Sequence, residues 1–466
     1  MKELSHTNQI VIVIGLGSSG IGAARFLNYN HKNVIVFEKS QEESFNEITQ
    51  SLRAEGIQIE FNKPLTFASF KSYLSNLSAI VISPGIPWDH KTINQLREEK
   101  ITVTSEVAIA WEKLHSIPWV GVTGTNGKTT VTRMLDHVLN NSGVTSNVGA
   151  NVGKAASELA LAFQKDPEQK PQWLIMELSS YQIESSPKVS PQIGIWTTLT
   201  PDHLERHGSM ENYISIKRGL LEKSSTRIYN ADDKYLEKHR ADLPGGKWVS
   251  TKGPGSSTFP NDLWLSSEGV LMENNVALFH SNILHLKGDH NLQNLLLVTA
   301  AAREIGLSKE QIRYGISTFK AIPHRLERIY NDKQLEILND SKATNFDSAN
   351  IGLKATSKPT ILIAGGRLKK GNSSDWLTSI KERASVVILF GESRMQLKSL
   401  IERSGFNGQI HCYSSLNLAV SKAVKVSQSL NAKSILFSPA CASFDLYKNF
   451  EERGNHFREL IKEAVN

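Results

Sequence analysis

Gly121–Thr130 reads Gly-Val-Thr-Gly-Thr-Asn-Gly-Lys-Thr-Thr, and few local sequences constrain a fold so tightly. A glycine-rich turn runs straight into Lys128 and the hydroxyls of Thr129 and Thr130. It follows the apolar stretch Ile117–Val122. It precedes Val131, Met134, Leu135, Val138 and Leu139, which recur at the spacing of one helix face and stop at Gly143. In a strand–turn–helix unit of this kind, inward-pointing backbone N–H groups cradle phosphate oxygens, and the lysine and a hydroxyl serve the terminal phosphates and Mg²⁺. The strict pattern asks for glycine where this chain has Val122; the nearest glycines are Gly121 and Gly124. The flanking strand and helix carry the reading, which is of a chain that binds and spends a nucleoside triphosphate.

At 466 residues the chain has room for about three domains. It parses into α/β segments 1–115, 116–320 and 321–466. In the first, the strand Ile10–Ile14 enters Gly15-Leu16-Gly17-Ser18-Ser19-Gly20 and a helix, and Val34–Phe37 ends at Glu38. That is a dinucleotide-binding fingerprint with its acidic residue roughly 20 positions on. On these residues alone NAD, another nucleotide or none all stay open. A further strand, Ala79–Ile82, ends in Ser83-Pro84-Gly85-Ile86-Pro87. The middle segment adds strands Trp173–Leu178 and Ile193–Leu199, the second ending just before Asp202-His203. Ligands of open α/β sheets sit outside the carboxyl ends of the strands, so Gly124–Thr130, Glu177 and His203 are expected in one crevice. Lys252–Pro260 reads as loop and Trp264–Leu286 as a pair of hairpins, after which Asp289 caps a helix to Ile305 that carries Asn291 and Asn294 on one face. The last segment has strands Glu336–Asn339, Thr360–Ala364, Val386–Phe390 and Ser434–Phe437, a parallel, doubly wound pattern.

Composition narrows the class. Apolar content of 39% and charged content of 21% are those of an ordinary soluble protein. Two cysteines, Cys412 and Cys441, cannot build a disulfide framework and suit a reducing cytoplasm. No apolar run approaches the roughly 18 residues of a membrane span, and the polar start shows no signal peptide. The net charge of +7 is spread along the chain without a basic stripe, so no nucleic-acid partner is expected.

Three residue types each admit two readings. Glu177 is either a Mg²⁺ ligand beside the phosphate loop or a solvated carboxylate. His203 is either functional or structural. Lys217, in the helical stretch Glu211–Lys223, is either a solvated charge or a buried amine able to react with CO₂, giving a carbamate that ligates metal as a carboxylate does. Periodicity does not decide the last.

Taken together, these motifs resemble the Mur ligase family of bacterial peptidoglycan synthesis. Gly124–Thr130, Glu177-Leu178-Ser179-Ser180, Asp202-His203 and Asn230-Ala231-Asp232-Asp233 carry the likeness. Gly15-Leu16-Gly17, Ser83–Pro87, Asn339–Asn345 and Ser438–Asp445 narrow it to the branch that joins D-glutamate to UDP-N-acetylmuramoyl-L-alanine. The Asp-Asn-Pro-Arg motif of diaminopimelate-adding relatives is absent. The resemblance implies a Rossmann-like UDP-binding domain, a central P-loop ATPase-type parallel-sheet domain and a Rossmann-like amino-acid-binding domain. It implies UDP-substrate contacts from Leu16, Ser18, Ser19, Glu38, Lys39, Ser40, Ser83 and Asn151. ATP contacts are implied for Gly124, Thr125, Asn126, Gly127, Lys128, Thr129, Thr130, Asn291, Arg325 and Asp340. One Mg²⁺ is implied on Thr129 and Glu177, and a second on His203 and a carbamylated Lys217. D-glutamate is implied to meet Lys342, Thr344, Ser438, Phe444 and a lysine of the Gly365–Gly371 loop. Of Lys369 and Lys370, the reading leans to Lys370. The implied protein is a cytoplasmic, monomeric ATP-dependent ligase, with Lys128, Glu177, His203 and Lys217 in the catalytic machinery. The group that deprotonates the incoming amine is open between His203, solvent and phosphate. The competing reading from another class is an NAD-binding regulatory protein with a fused ATPase domain.

Overall fold

The computed structural model describes residues 9–42, 46–253, 260–286, 288–320, 322–332, 334–369 and 371–465. Three sheets are built from short runs rich in Val, Ile and Leu. The first holds β1 (Ile10–Ile14), β2 (Asn33–Phe37), β3 (Gln58–Glu60), β4 (Leu77–Ile82) and β5 (Thr102–Ser105), all parallel, in the order β3-β2-β1-β4-β5. Ile12, Val13, Val36 and Ile80 have no exposed surface. Apolar side chains on both faces are what a helix-covered parallel sheet requires. Strand order reverses about β1, which puts the Gly15–Gly20 turn and Ser83 at the switch point, where such sheets bind ligands. The Ser83 hydroxyl donates to the Ile14 carbonyl at 2.6 Å and so closes the β1–β4 end of the crevice. Gly20 makes this turn possible, because a Cβ there would stand 1.9 Å from the Gly15 carbonyl oxygen. Gly20→Ala is expected to cost about 2 kcal/mol through backbone displacement. A thermal-melting midpoint equal to that of the parent would refute this.

The second sheet runs β6 (Trp119–Thr123), β7 (Ser146–Ala150), β8 (Trp173–Glu177), β9 (Ile193–Trp196), β10 (Thr226–Asn230), β11 (Lys247–Ser250), β12 (Leu263–Leu265), β13 (Val270–Glu273) and β14 (Val276–His280). Its order is β14-β13-β12-β11-β10-β9-β6-β8-β7, with β6 between β8 and β9. The pairings from β7 to β12 are parallel, and β12, β13 and β14 form the expected antiparallel hairpins. Residues 254–259 of the expected loop lie outside the described residues.

The third sheet holds β15 (Glu327–Asn331), β16 (Glu336–Asn339), β17 (Thr360–Gly365), β18 (Ala384–Phe390), β19 (Gln409–Tyr413) and β20 (Ser434–Phe437), in the order β15-β16-β20-β17-β18-β19. It departs from the all-parallel expectation at β15, which pairs antiparallel with β16. The link 332–335 is too short for a crossover, which needs a dozen or more residues, and Asp332 N–H closes it on the Leu335 carbonyl.

These elements make two compact units. One is drawn from Met1–Leu199, Arg206–His280 and Asn294–Ile316, the other from Thr200–Glu205, Ser281–Gln293 and Ser317–Asn466. Within the first unit, Phe26, Val107 and Ala110 share an apolar cluster with Trp119, Leu159 and Phe163, so the first two sheets are joined by packed helices.

Candidate functional site

In the first unit, β6 runs on through Thr123, and Val122 is a fully buried strand residue. This is why the strict glycine pattern misses by one position. The turn itself begins at Gly124, whose φ of +141° and missing Cβ are both needed, since a Cβ would sit 2.0 Å from Thr197 Oγ1. Neighbouring strand ends hold the loop. Thr125 N–H donates to the Thr198 carbonyl at 2.8 Å and Asn126 N–H to Thr198 Oγ1 at 2.9 Å. Gly127, at φ +85°, leads into the helix Lys128–Asn141. Thr129 and Thr130 are buried in its first turn, and Lys128 Nζ donates to the carbonyls of Gly124 and Thr125 at 2.9 and 2.8 Å.

Glu177 ends β8 on the strand beside the loop and is only 2% exposed. One carboxylate oxygen accepts from the Thr129 hydroxyl at 2.7 Å, the other from Asn151 Nδ2 at 2.7 Å. Of the expected grouping of phosphate loop, Glu177 and His203, the loop and Glu177 meet here, with Asn151 as an unforeseen third member, whereas His203 belongs to the other unit. A hydroxyl and a carboxylate at the mouth of the loop fit Mg²⁺, which takes oxygen ligands and keeps several waters. Lys217 is a buried residue of the helix Met210–Lys223. Its Nζ donates to the Gly124 carbonyl at 2.9 Å and to Thr123 Oγ1 at 3.3 Å. An amine so engaged does not fit as a metal ligand; only its carbamate would, and that would replace the donation to Gly124. Among the described residues no group of three or more His, Cys, Asp or Glu side chains is arranged around a cation.

At the first sheet's switch point, Leu16 N–H donates to Glu38 Oε2 at 3.0 Å and Ser40 N–H to Oε1 at 3.0 Å. Burial pushes the Glu38 carboxyl up, but the Ser40 and Leu16 N–H groups outweigh it and hold it below the usual range. Glu38 thereby ties the glycine turn to the end of β2. Ser18 and Lys39 are exposed, Ser19 and Ser40 are half-buried, and the Leu16 side chain is in the core.

In the second unit, the loops after β16, β17 and β20 leave neighbouring strand ends. Asp340 is buried, accepting from the Ser438 hydroxyl at 2.8 Å and from Leu326 N–H at 3.3 Å. Burial pushes its carboxyl up to about 7, against the pull of those two donors, Arg325 and Arg453. Thr200, Pro201, Asp202, Asn345, Phe346, Asp347, Lys369 and Gly371 line part of a cavity of about 210 Å³. Asp202 and Asn345 are in contact there, and His203 lies next to Asp202, its Nε2 3.5 Å from the carboxylate. Lys369 lines this cavity, whereas Lys370 lies outside the described residues. Asn291 is buried near the start of the helix Asp289–Ile305, whose first residue is Asp289 itself. Thr344 is half-buried, and Phe444 is 63% exposed.

Sequence reasoning overlooked two side chains here. Phe450 receives Lys342 Nζ at 3.7 Å from its ring centroid. Arg453, wholly buried, donates to the Ser341 and Cys441 carbonyls at 2.7 and 3.0 Å and pins two of the loops together. The run Asn449-Phe450-Glu451-Glu452-Arg453-Gly454, an aromatic and an arginine beside a glycine at the start of a helix, was the available signal.

A phosphate loop heading a parallel sheet, with a doubly wound sheet before it and another after, defines a three-domain nucleotide-binding α/β protein. Residues 9–105 match the Mur ligase MurD-like N-terminal domain, and residues 122–302 the Mur ligase middle domain. The UDP-N-acetylmuramoylalanine–D-glutamate ligase of Prochlorococcus marinus strain SARG / CCMP1375 is 58% identical over 464 residues, covering 100% of this chain and 99% of the relative. That of strain MIT 9313 is 50% identical, over 97% and 98%. The chain belongs to the Mur ligase family. Among solved structures, the UDP-N-acetylmuramate-alanine ligase of Thermotoga maritima shares the fold, with a TM-score of 0.62 at 18% identity over 98% of this chain and 99% of that one. Folylpolyglutamate synthase of Mycobacterium tuberculosis shares it over 75% of this chain and 94% of its own, with a TM-score of 0.55 at 14% identity. No helix among the described residues is long and apolar enough to cross a membrane.

Proposed function

We propose that this protein is the ATP-dependent ligase that adds D-glutamate to UDP-N-acetylmuramoyl-L-alanine in peptidoglycan synthesis. The observation that carries the reading is the full-length 58% identity to a ligase of that name, together with an intact phosphate loop beside Glu177. A carboxylate does not acylate an amine at neutral pH, because oxide is not expelled. Transfer of the γ-phosphoryl group of ATP to the alanyl carboxylate gives an acyl phosphate, and phosphate then leaves when the D-glutamate amine attacks the acyl carbon. The loop N–H groups and Lys128 hold the phosphates and spread their charge. Glu177 and Thr129 are assigned to one Mg²⁺, which neutralises phosphate charge when bound. A second ion, on His203 and a carbamylated Lys217, is proposed from the family resemblance alone, and the ion count is part of the proposal.

The remaining assignments are proposals of the same kind, with domain bounds 1–115, 116–320 and 321–466. Leu16, Ser18, Ser19, Glu38, Lys39, Ser40, Ser83 and Asn151 receive the UDP substrate. Asn291, Arg325 and Asp340 are assigned to ATP as well. Lys342, Thr344, Ser438 and Phe444 receive D-glutamate. The loop lysine remains assigned to Lys370, which lies outside the described residues; its neighbour Lys369 lines the cavity beside Asn345. A monomer working in the cytoplasm is the proposed setting. Phosphate release should require both UDP-N-acetylmuramoyl-L-alanine and D-glutamate. Equal release with L-glutamate, or none with D-glutamate, would sink the assignment.

A further inference from the structure

Directly after Asp202-His203 and Leu204-Glu205 comes Arg206-His207, a pair to which the reaction gives no part. His207 is 5% exposed at the end of the short helix Leu204–His207. Its Nε2 is hydrogen-bonded to Ser180 Oγ at 2.8 Å. Ser180 opens the helix that follows Glu177, so this bond grips the segment on which Glu177 is mounted. The imidazole also packs against two tyrosine rings, Tyr181 at 5.2 Å and Tyr213 at 5.3 Å between centroids, with interplanar angles of 37° and 35°. Its backbone carbonyl accepts from Asn212 Nδ2 at 3.0 Å.

The chain of contacts continues to the phosphate loop. Tyr213 is 2% exposed, and its hydroxyl lies 3.2 Å from Thr125 Oγ1. One helical turn on, Lys217 places Nζ 4.6 Å above the Tyr213 ring while bonding the Gly124 carbonyl. On the far side, the Arg206 guanidinium lies 5.4 Å from the Tyr181 ring and pairs with Glu184 at 2.9 Å. Buried rings in contact have few alternative rotamers, so they transmit position rather than absorb it. From these contacts we infer that His207 is a positioning residue that sets the phosphate loop and Lys217 in register with Glu177. It acts by fixing Ser180 on one side and Tyr213 on the other.

The inference rests on the proposed ligase reading, and its test separates the two. His207→Phe keeps the ring contacts and removes the hydrogen bond, whereas His207→Gln keeps a polar partner for Ser180 and removes the ring. Each is expected to lower kcat about tenfold and to weaken binding of a non-hydrolysable ATP analogue about fivefold, because misplacement of the loop is felt in both. KM for the UDP substrate and for D-glutamate should stay within about twofold of the parent. A residue that only holds the fold together would lower the melting temperature and leave these constants unchanged in the folded fraction. Parental kcat and analogue affinity in both variants would overturn the inference, and so would a loss spread equally over all three substrates. If one variant does not fold, the other carries the same comparison. A parent that binds the analogue yet releases no phosphate with D-glutamate would instead refute the ligase reading, and analogue binding by the variants would still decide the role of His207.

Discussion

Lys217→Ala is expected to lower D-glutamate-dependent phosphate release by about a thousandfold, and short-chain carboxylic acids such as acetate or propionate are expected to restore part of it. The side chain is 1% exposed, a burial that costs an ammonium dearly unless it is well bonded. In the amine form it donates to the Gly124 carbonyl and Thr123 Oγ1 and lies over the Tyr213 ring. Alanine removes these contacts and leaves a hole into which a small carboxylate fits. If the working form is a carbamate, that carboxylate replaces the lost anionic oxygens and activity returns in proportion to its concentration. Lys217→Met is the packing control: it fills the hole, stays folded and is not rescued. A loss in Lys217→Ala that no carboxylic acid reverses would remove the carbamate from the mechanism and leave Lys217 as the amine that holds the loop. Activity of Lys217→Ala within tenfold of the parent would exclude both roles.

How far the sequence could be read follows from where its information is local. The continuous apolar run Ile10–Ile14, closed by Gly15, placed β1 at its observed ends, because a strand covered on both faces has no polar positions to blur it. The phosphate loop was legible through its flanks even though its glycine count was not. Val122 belongs to the strand, and Gly124 supplies the one conformation the turn cannot do without. Glu177 and Asn151, 26 positions apart, meet because β7 and β8 pair in register at their ends, Ala150 beside Glu177. Expecting ligands at strand ends anticipated Glu177 beside the loop, but not its bond to Asn151. What stayed hidden depends on contacts between distant segments. Nothing in Met210–Lys223 distinguishes a buried Lys217 from a solvated one. The ring of Phe450 reaches Lys342 only after a whole α/β unit has folded between them. The choice between Lys369 and Lys370 turns on the path of a loop, which neither charge nor periodicity encodes.

Glu106 was likewise invisible as anything but a helix-start carboxylate, and it supplies the other large expected effect, on stability rather than rate. It is 1% exposed at the head of the helix Glu106–Leu114, where Ser105 caps the helix through Ala108 N–H and its hydroxyl meets that of Ser186 at 2.8 Å. One carboxylate oxygen accepts from Ser157 N–H at 2.5 Å, and the other makes no hydrogen bond among the described residues. Burial pushes its carboxyl up to about 7 from 4.5, with Ser157 pulling the other way and Glu158 adding to the push. The folded protein therefore holds a proton here that the unfolded chain releases near 4.5. By linkage, stability from this group is greatest below about pH 4.5, falls as pH rises and is lowest above about 7, a span on the order of 3 kcal/mol. Glu106→Gln keeps an acceptor for Ser157 N–H and cannot ionise. The variant should match the parent near pH 4 and exceed it increasingly up to pH 8, by several degrees in melting temperature. Asp340, also raised to about 7, titrates in both proteins, so the difference between them isolates Glu106. Parallel melting-temperature curves across pH 5 to 8 would show that Glu106 is already ionised in the folded protein, and that the helix start Ala156–Ser157 stabilises a buried charge far better than its surroundings suggest.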